Sequence, residues 1–208
     1  MGCGKSSVGR RLSQLLCCPF MDLDEMIEQV AGKTIPEIFD NEGEAGFRAL
    51  EKTVLTSFLS EKEEGGKDRA TRGTKAGGPQ AKRSGGVSAA NVLTLSSFSD
   101  RKEGTREEIS ENQIAVMSLG GGTVMTRECA EILHDETLCI YLRATVETLT
   151  NHLKGETANR PMLSGNLESR ITELMAIRSS AYESTAHIII DIDGQTVEET
   201  ADAIISLL

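Results

Sequence analysis

Apolar positions change their period several times along the chain. Val8, Leu12, Leu15 and Leu16 recur at i, i+4, i+7 and i+8 behind Gly4. That is one helical stripe, and Pro19 ends it. Pro19 to Asp24 (PFMDLD) reads as a strand, with Phe20, Met21 and Leu23 apolar and carboxylates at its far end. A short helix to Ala31 follows, capped by Gly32. Thr34-Ile35-Pro36-Glu37 has capping-box spacing and a proline near the first turn, which predicts a helix over Ile35 to Asn41. From Glu44, the positions Phe47, Leu50, Val54 and Phe58 form another stripe. Ile114 to Leu119 (IAVMSL) is a buried-strand pattern that runs into Gly120-Gly121-Gly122. Beyond it the pattern predicts a helix over Arg127 to Leu133, a strand over Leu138 to Leu142 and a helix from Thr145 to about Lys154. A polar loop over 155–166, a helix over Leu167 to Tyr182, a strand over His187 to Ile192 and a turn at Asp193-Gly194 come next. A closing helix carries Val197, Ala201, Ile204, Ile205 and Leu208. Strands alternating with helices predict a three-layer α/β/α fold around a parallel sheet.

Residues 61–111 break this alternation. The stretch 61–90 has no Leu, Ile, Met or aromatic residue and is rich in Gly, Lys, Arg and Glu. It has nothing with which to offset its ordering entropy, so disorder is expected there. A modest apolar cluster follows (Val92, Leu93, Leu95, Phe98), then a charged stretch to Glu111. Val92-Leu93-Thr94 echoes Val54-Leu55-Thr56. The domain is therefore expected to comprise 1–60 and 112–208, with 61–111 a low-complexity, largely disordered insertion.

Composition narrows the function. With 22 Lys+Arg against 32 Asp+Glu, the net charge of −10 argues against a nucleic-acid or anionic-membrane binder. A small anion held by a few local Arg and Lys remains open. Aromatics at 3% and no Trp disfavour base-stacking platforms. Five Cys (Cys3, Cys17, Cys18, Cys129, Cys139) lack metal-ligand spacing and read as reduced thiols of a cytoplasmic protein. No apolar run is long enough for a membrane span, and no signal peptide is visible.

The chemistry gathers in three places. Gly2-Cys3-Gly4-Lys5-Ser6-Ser7 is the back half of a phosphate-binding loop, G-x-x-x-x-G-K-[ST], followed by its helix. In such a loop backbone N–H groups cradle phosphates, the lysine neutralises them and the hydroxyl reaches Mg²⁺. Asp22 and Asp24, i and i+2 at the end of a strand, share a face and point to the carboxyl edge where open α/β sheets bind ligands. A solvated cap would look the same. Beside a phosphate loop, one carboxylate for metal and one for a substrate hydroxyl is the better reading. Gly120-Gly121-Gly122 directly after a strand permits close approach of backbone N–H groups to a ligand. Arg48, Arg160 and Arg178 are the candidate anion-binding cations.

The strings PFMDLD (19–24), AGKTIPEIF (31–39), EGEAGFRALE (42–51), SLGGG (118–122), NRPML (159–163) and MAIRSSAY (175–182) together resemble shikimate kinase. The resemblance covers residues 1 to about 60 and 112–208. It implies a five-stranded parallel sheet of the nucleoside-monophosphate-kinase type. It also implies transfer of the ATP γ-phosphate to the 3-hydroxyl of shikimate, a step of chorismate and aromatic amino acid biosynthesis. Carried over by position, Lys5 and Ser6 hold phosphates and Mg²⁺, with Gly2, Cys3, Gly4 and Ser7 completing the loop. Asp22 contacts the metal through water, and Asp24 binds and orients or deprotonates the nucleophilic hydroxyl. Arg48 and Arg178 clamp the shikimate carboxylate, and Gly120, Gly121 and Gly122 line it. Arg160 in a lid reaches both substrates, Lys154 stands at the lid base, and Gln195 in the Asp193-Gly194-Gln195 turn faces adenine. ATP and Mg²⁺ are the implied cofactors, shikimate the small-molecule partner, and a monomer is expected.

Two departures qualify this. The leading glycine of the phosphate loop would fall two residues before Met1, and the strand ahead of it is missing from the centre of the sheet. The expectation is that Met1 is not the natural start, or that this form is poorly stable and weak for ATP. The insertion is expected to leave from the face opposite the active site. Two alternatives stay open: a catalytically silent homologue that binds shikimate only, and another small-molecule kinase such as a gluconate kinase.

Overall fold

The computed structural model describes residues 3–60, 92–98, 113–157 and 167–208. Helix α1 (Lys5–Leu15) begins behind Gly4, whose φ of 67° is the left-handed turn that brings the chain into the helix. Strand β1 is short (Phe20–Asp22), and α2 (Leu23–Ala31) starts at once, ending on Gly32 as expected. Helix α3 (Ile35–Ser60) is two helical segments joined at Gly43, whose φ of 68° and ψ of −175° put a kink between the two predicted stripes. Its start is fixed by Glu37, which accepts from both the backbone N–H and the hydroxyl of Thr34 at 2.8 Å. Strands β2 (Val92–Phe98) and β3 (Gln113–Ser118) follow, then a 3-10 turn at Thr123–Met125 and α4 (Arg127–Glu136). The chain closes with β4 (Leu138–Arg143), α5 (Val146–Thr157), α6 (Leu167–Thr185), β5 (Ile188–Asp191) and α7 (Val197–Ile205). Helix α7 begins in a full capping box between Thr196 and Glu199.

The sheet order is β1-β3-β2-β4-β5. β1 pairs with β3, and β4 with β5, in parallel. The centre corrects the expected topology. β2 lies between β3 and β4 and runs antiparallel to both. A strand from within 61–111 thus occupies the position where a parallel strand was expected to be missing, and the sheet is mixed. The reason is visible in its burial: Leu93, Thr94 and Leu95 are all buried, so this cluster has the apolar surface to order itself. The rest of 61–111 lies outside the described residues. Because Leu93 pairs with Ser118 and Phe98 with Gln113, β2 enters at the carboxyl edge of β3 and leaves at its amino edge. The end of β2 and the start of β3 therefore lie at the edge away from the site, while the start of β2 lies at the site edge; the path of the insertion itself lies outside the described residues.

Strand alternation sorts the core into two layers. Ala115, Met117, Cys139 and Tyr141 face α2, α3, α4 and the end of α6. Leu93, Leu95, Val116, Ile140 and Leu142 face α1, α5 and α7. At Gly9 of α1 a side chain would sit 2.6 Å from the Phe20 ring and 3.0 Å from Leu93, so this glycine lets α1 lie close on the sheet.

Candidate active site

The site assembles where β1 and β3 end and α1 begins. Asp22 is the N-cap of α2: its Oδ1 accepts from the backbone N–H of Asp24 at 3.1 Å. Asp24 is therefore a first-turn helix residue and not a strand residue, which corrects the expected i, i+2 strand geometry while keeping both carboxylates at the carboxyl edge. The second oxygen of Asp22 accepts from the Ser6 hydroxyl at 3.2 Å. Ser6 also meets the buried Ser118 hydroxyl at 3.4 Å, and Ser118 is the register partner of Asp22 across the β1–β3 pair. Burial pushes the Asp24 carboxyl above the usual carboxylate range, the Asp22 charge adds to the rise, and the Lys5 ammonium opposes it.

The second part of the site is the Gly120–Gly122 loop. A Cβ on Gly120 would lie 2.7 Å from Asp24 Oδ1, and one on Gly122 would overlap the Arg48 guanidinium. Both glycines thus let a charged side-chain end approach the backbone closely, the carboxylate at one and the cation at the other, and a side chain at either would displace it. Arg48 is held at both ends of its fork. Nη1 donates to Glu51 at 2.8 Å and Nη2 reaches Glu44 at 3.4 Å. From the opposite side Arg178 Nη1 donates to the Gly121 carbonyl at 3.2 Å, and the Tyr182 hydroxyl donates to the same oxygen at 2.7 Å. Burial lifts the Tyr182 phenol to about 12, so it stays a neutral donor at ordinary pH.

Four participants went unassigned in the sequence: Glu51, Thr123, Ser118 and Tyr182. Glu51 is fully buried and joins Arg48 to the Thr123 hydroxyl, which donates to it at 2.6 Å. A signal for Glu51 was present. It stands four residues after Phe47 and three before Val54, a carboxylate inside an apolar stripe, and such a residue is buried only with partners. Ser118 and Tyr182 stand in two of the strings that carry the resemblance, but a serine ending a strand and a tyrosine on a helix name no role by themselves.

Lys5, Ser6, Asp22, Asp24, Arg48, Gly120, Gly121, Gly122 and Arg178 are brought together. Cys3 is buried among Val8, Leu12, Ile140 and Leu142, so a phosphate could use its backbone but not its thiol. Ser7 is exposed on α1. Gln195 stands apart on the β5–α7 turn, its amide oxygen accepting from Thr200 at 3.2 Å. Gly2, Arg160 and the side chain of Lys154 lie outside the described residues. The hydroxyl and carboxylate of Ser6 and Asp22 form an oxygen donor pair of the kind Mg²⁺ accepts when phosphates and water complete its shell. Among the described residues no group of three or more His, Cys, Asp or Glu could hold a metal without such help.

The family model for shikimate kinase matches residues 1–65 and 83–208. The shikimate kinase of Zymomonas mobilis subsp. mobilis is 31% identical over 209 residues, covering 100% of this chain and 89% of its own length. That of Dictyoglomus turgidum is 30% identical over 210 residues, covering 100% of this chain and 92% of its own. Among solved structures, shikimate kinase from Acinetobacter baumannii in complex with shikimate superposes with a TM-score of 0.67 at 27% identity, over 100% of this chain and 87% of that one. With a carboxylate pair, a phosphate-loop helix and two arginines around a triple-glycine loop, and with relatives matched along its whole length, this chain belongs to the shikimate kinase family, whose members transfer the γ-phosphate of ATP to the 3-hydroxyl of shikimate.

Proposed function

We propose that Asp24, Arg48 and Arg178 form the shikimate subsite of this chain and that Lys5, Ser6 and Asp22 form its phosphate and Mg²⁺ subsite. The carrying observation is the convergence of Arg48 and Arg178 on consecutive glycines, Gly122 and Gly121, beside the Asp24 carboxylate at Gly120. Two guanidinium groups around one loop suit a carboxylate, which each can grip with a planar fork. Asp24, set at the start of α2, is in place to orient the substrate hydroxyl and take its proton as the phosphoryl group arrives. The Gly120–Gly122 backbone lines the cyclic body of the substrate. On the other side Ser6, steadied by Asp22 and Ser118, faces the phosphates together with Lys5 and the N–H groups from Cys3 to Ser7 at the start of α1. When bound, Mg²⁺ supplies charge neutralisation between the phosphates, held by Ser6 directly and Asp22 through water. Arg160 and Lys154 are assigned to charge stabilisation over the phosphates, and Gln195 to the adenine side. Five cysteines, none of them in a disulfide, support a cytoplasmic site of action.

The test is a coupled assay with shikimate and ATP on the wild type and Asp24→Asn. The substitution should lower kcat by about 10²–10⁴-fold, the range for a lost acid–base group, with ATP affinity retained. A D24N enzyme within a factor of three of wild type removes Asp24 from the mechanism. Titration calorimetry showing shikimate binding without ATP binding in the wild type would favour the silent homologue.

A further inference from the structure

Three consecutive glycines leave the Gly120–Gly122 backbone with little side-chain restraint, yet the site needs one orientation of each peptide there. The Gly121–Gly122 peptide is planar and trans, so its C=O and N–H point in opposite directions. Fixing the Gly121 carbonyl therefore fixes the direction of the Gly122 N–H. The carbonyl is fixed by two donors from one face of α6. The Tyr182 hydroxyl lies at 2.7 Å, and Arg178 Nη1, four residues earlier and so on the same helical face, lies at 3.2 Å. Tyr182 has 0% exposure and its ring packs against that of the equally buried Tyr141, with centroids 5.3 Å apart. The shorter of the two bonds thus comes from a side chain that cannot swing away, whereas Arg178 is only part-buried at this contact. On the other side of the loop Arg48 fills the space that a Gly122 side chain would need.

We propose that Tyr182 is a positioning residue for shikimate. Its hydroxyl locks the Gly121–Gly122 peptide plane, turns the Gly122 N–H away from α6 and into the pocket, and steadies Arg178 through their shared acceptor. This rests on the reading that Arg178 and the glycine loop hold the substrate. The lock acts on one substrate only, because the phosphate loop lies on α1 and has no part in the α6 contacts described.

The experiment compares Tyr182→Phe and Arg178→Lys with the wild type by steady-state kinetics against each substrate. Y182F keeps the ring and its packing and removes only the hydroxyl. It should raise the KM for shikimate about tenfold, with kcat and the KM for ATP within twofold of wild type. A shikimate KM within twofold of wild type, or an equal rise for both substrates, overturns the inference. R178K separates it from the reading beneath it. If R178K raises the shikimate KM and Y182F does not, the Tyr182 role alone fails. If neither does, the reading of the subsite fails. A measurement that needs no variant guards against a poorly folded Y182F: the Gly122 amide of the unliganded wild type should show the order parameter of rigid backbone, about 0.85. A value below about 0.6 overturns the lock.

Discussion

Asp24 carries its charge where burial and a neighbouring carboxylate both oppose it, and only Lys5 offsets them. Its folded pKa is raised above the unfolded value of about 3.9. The folded state therefore binds this proton more tightly than the unfolded chain, and stability falls as pH rises between the unfolded and folded values. Above that window the penalty is complete. Asn at this position keeps the size and removes the charge. D24N should therefore melt above the wild type at pH 7, with the gap closing as pH falls toward about 4. A thermal melt showing D24N equal to or below wild type at pH 7 contradicts the charge balance described for this site. If D24N melts above the wild type and loses turnover, one residue is the source of both activity and instability. Glu51 is the opposite case: a fully buried carboxylate that is matched, to Arg48 on one oxygen and Thr123 on the other.

At the scale of elements, β2 teaches most. Val54-Leu55-Thr56 lies within α3 and Val92-Leu93-Thr94 begins β2, so one tripeptide takes two backbone forms. Local preference did not decide between them; the neighbours did. In α3 the apolar stripe continues on both sides at helical spacing, while at β2 the alternation Leu93, Thr94, Leu95 meets two strands that each lack a partner on that side. The regular helices and the strands β3, β4 and β5 were legible because their periods were long or their ends capped. The antiparallel centre was not, because period gives no direction and the charged surroundings masked a short strand. The candidate site was legible wherever a motif suggests its chemistry, as at Lys5, Asp24 and Arg48, which the fold brings to one edge of the sheet. It was illegible at Ser118 and Tyr182, which act through backbone and neighbours. Leu93→Ala should cost about 2–5 kcal/mol, the range for a buried leucine, out of a total of about 5–15 kcal/mol. Denaturant unfolding that shows less than about 1 kcal/mol would place β2 outside the core.

For the whole molecule, two apolar layers share one sheet, and the central strand contributes Leu93 and Leu95 to the layer under α1. The segment 61–111 is consequently not one thing. Residues 66–82 fall between the two stretches matched by the family model. Removing them leaves the chain that leads into β2, and loop shortening changes closure entropy by only about 0.6 kcal/mol per halving. That deletion should preserve melting temperature and turnover. Deleting 61–111 removes β2 and should abolish cooperative unfolding. The pair of deletions, compared by calorimetry, fails this account if the two behave alike.

The direction of β2 also bears on the order in which the molecule takes shape. An antiparallel neighbour can zip onto β3 as a hairpin, through the residues between Phe98 and Gln113. A parallel neighbour would need a crossover, with the slower search that distant pairings bring. The centre of this sheet is therefore its most local pairing, and β4 joins it at longer range, Leu138 against Leu95. β1 is the most distant in sequence, since Phe20 has to find Val116. It brings Asp22, and with it the start of α2 and Asp24. The placement of Asp22 and Asp24 thus depends on the longest-range pairing in the sheet, the same pairing that brings Leu23 and Ile27 of α2 into the core.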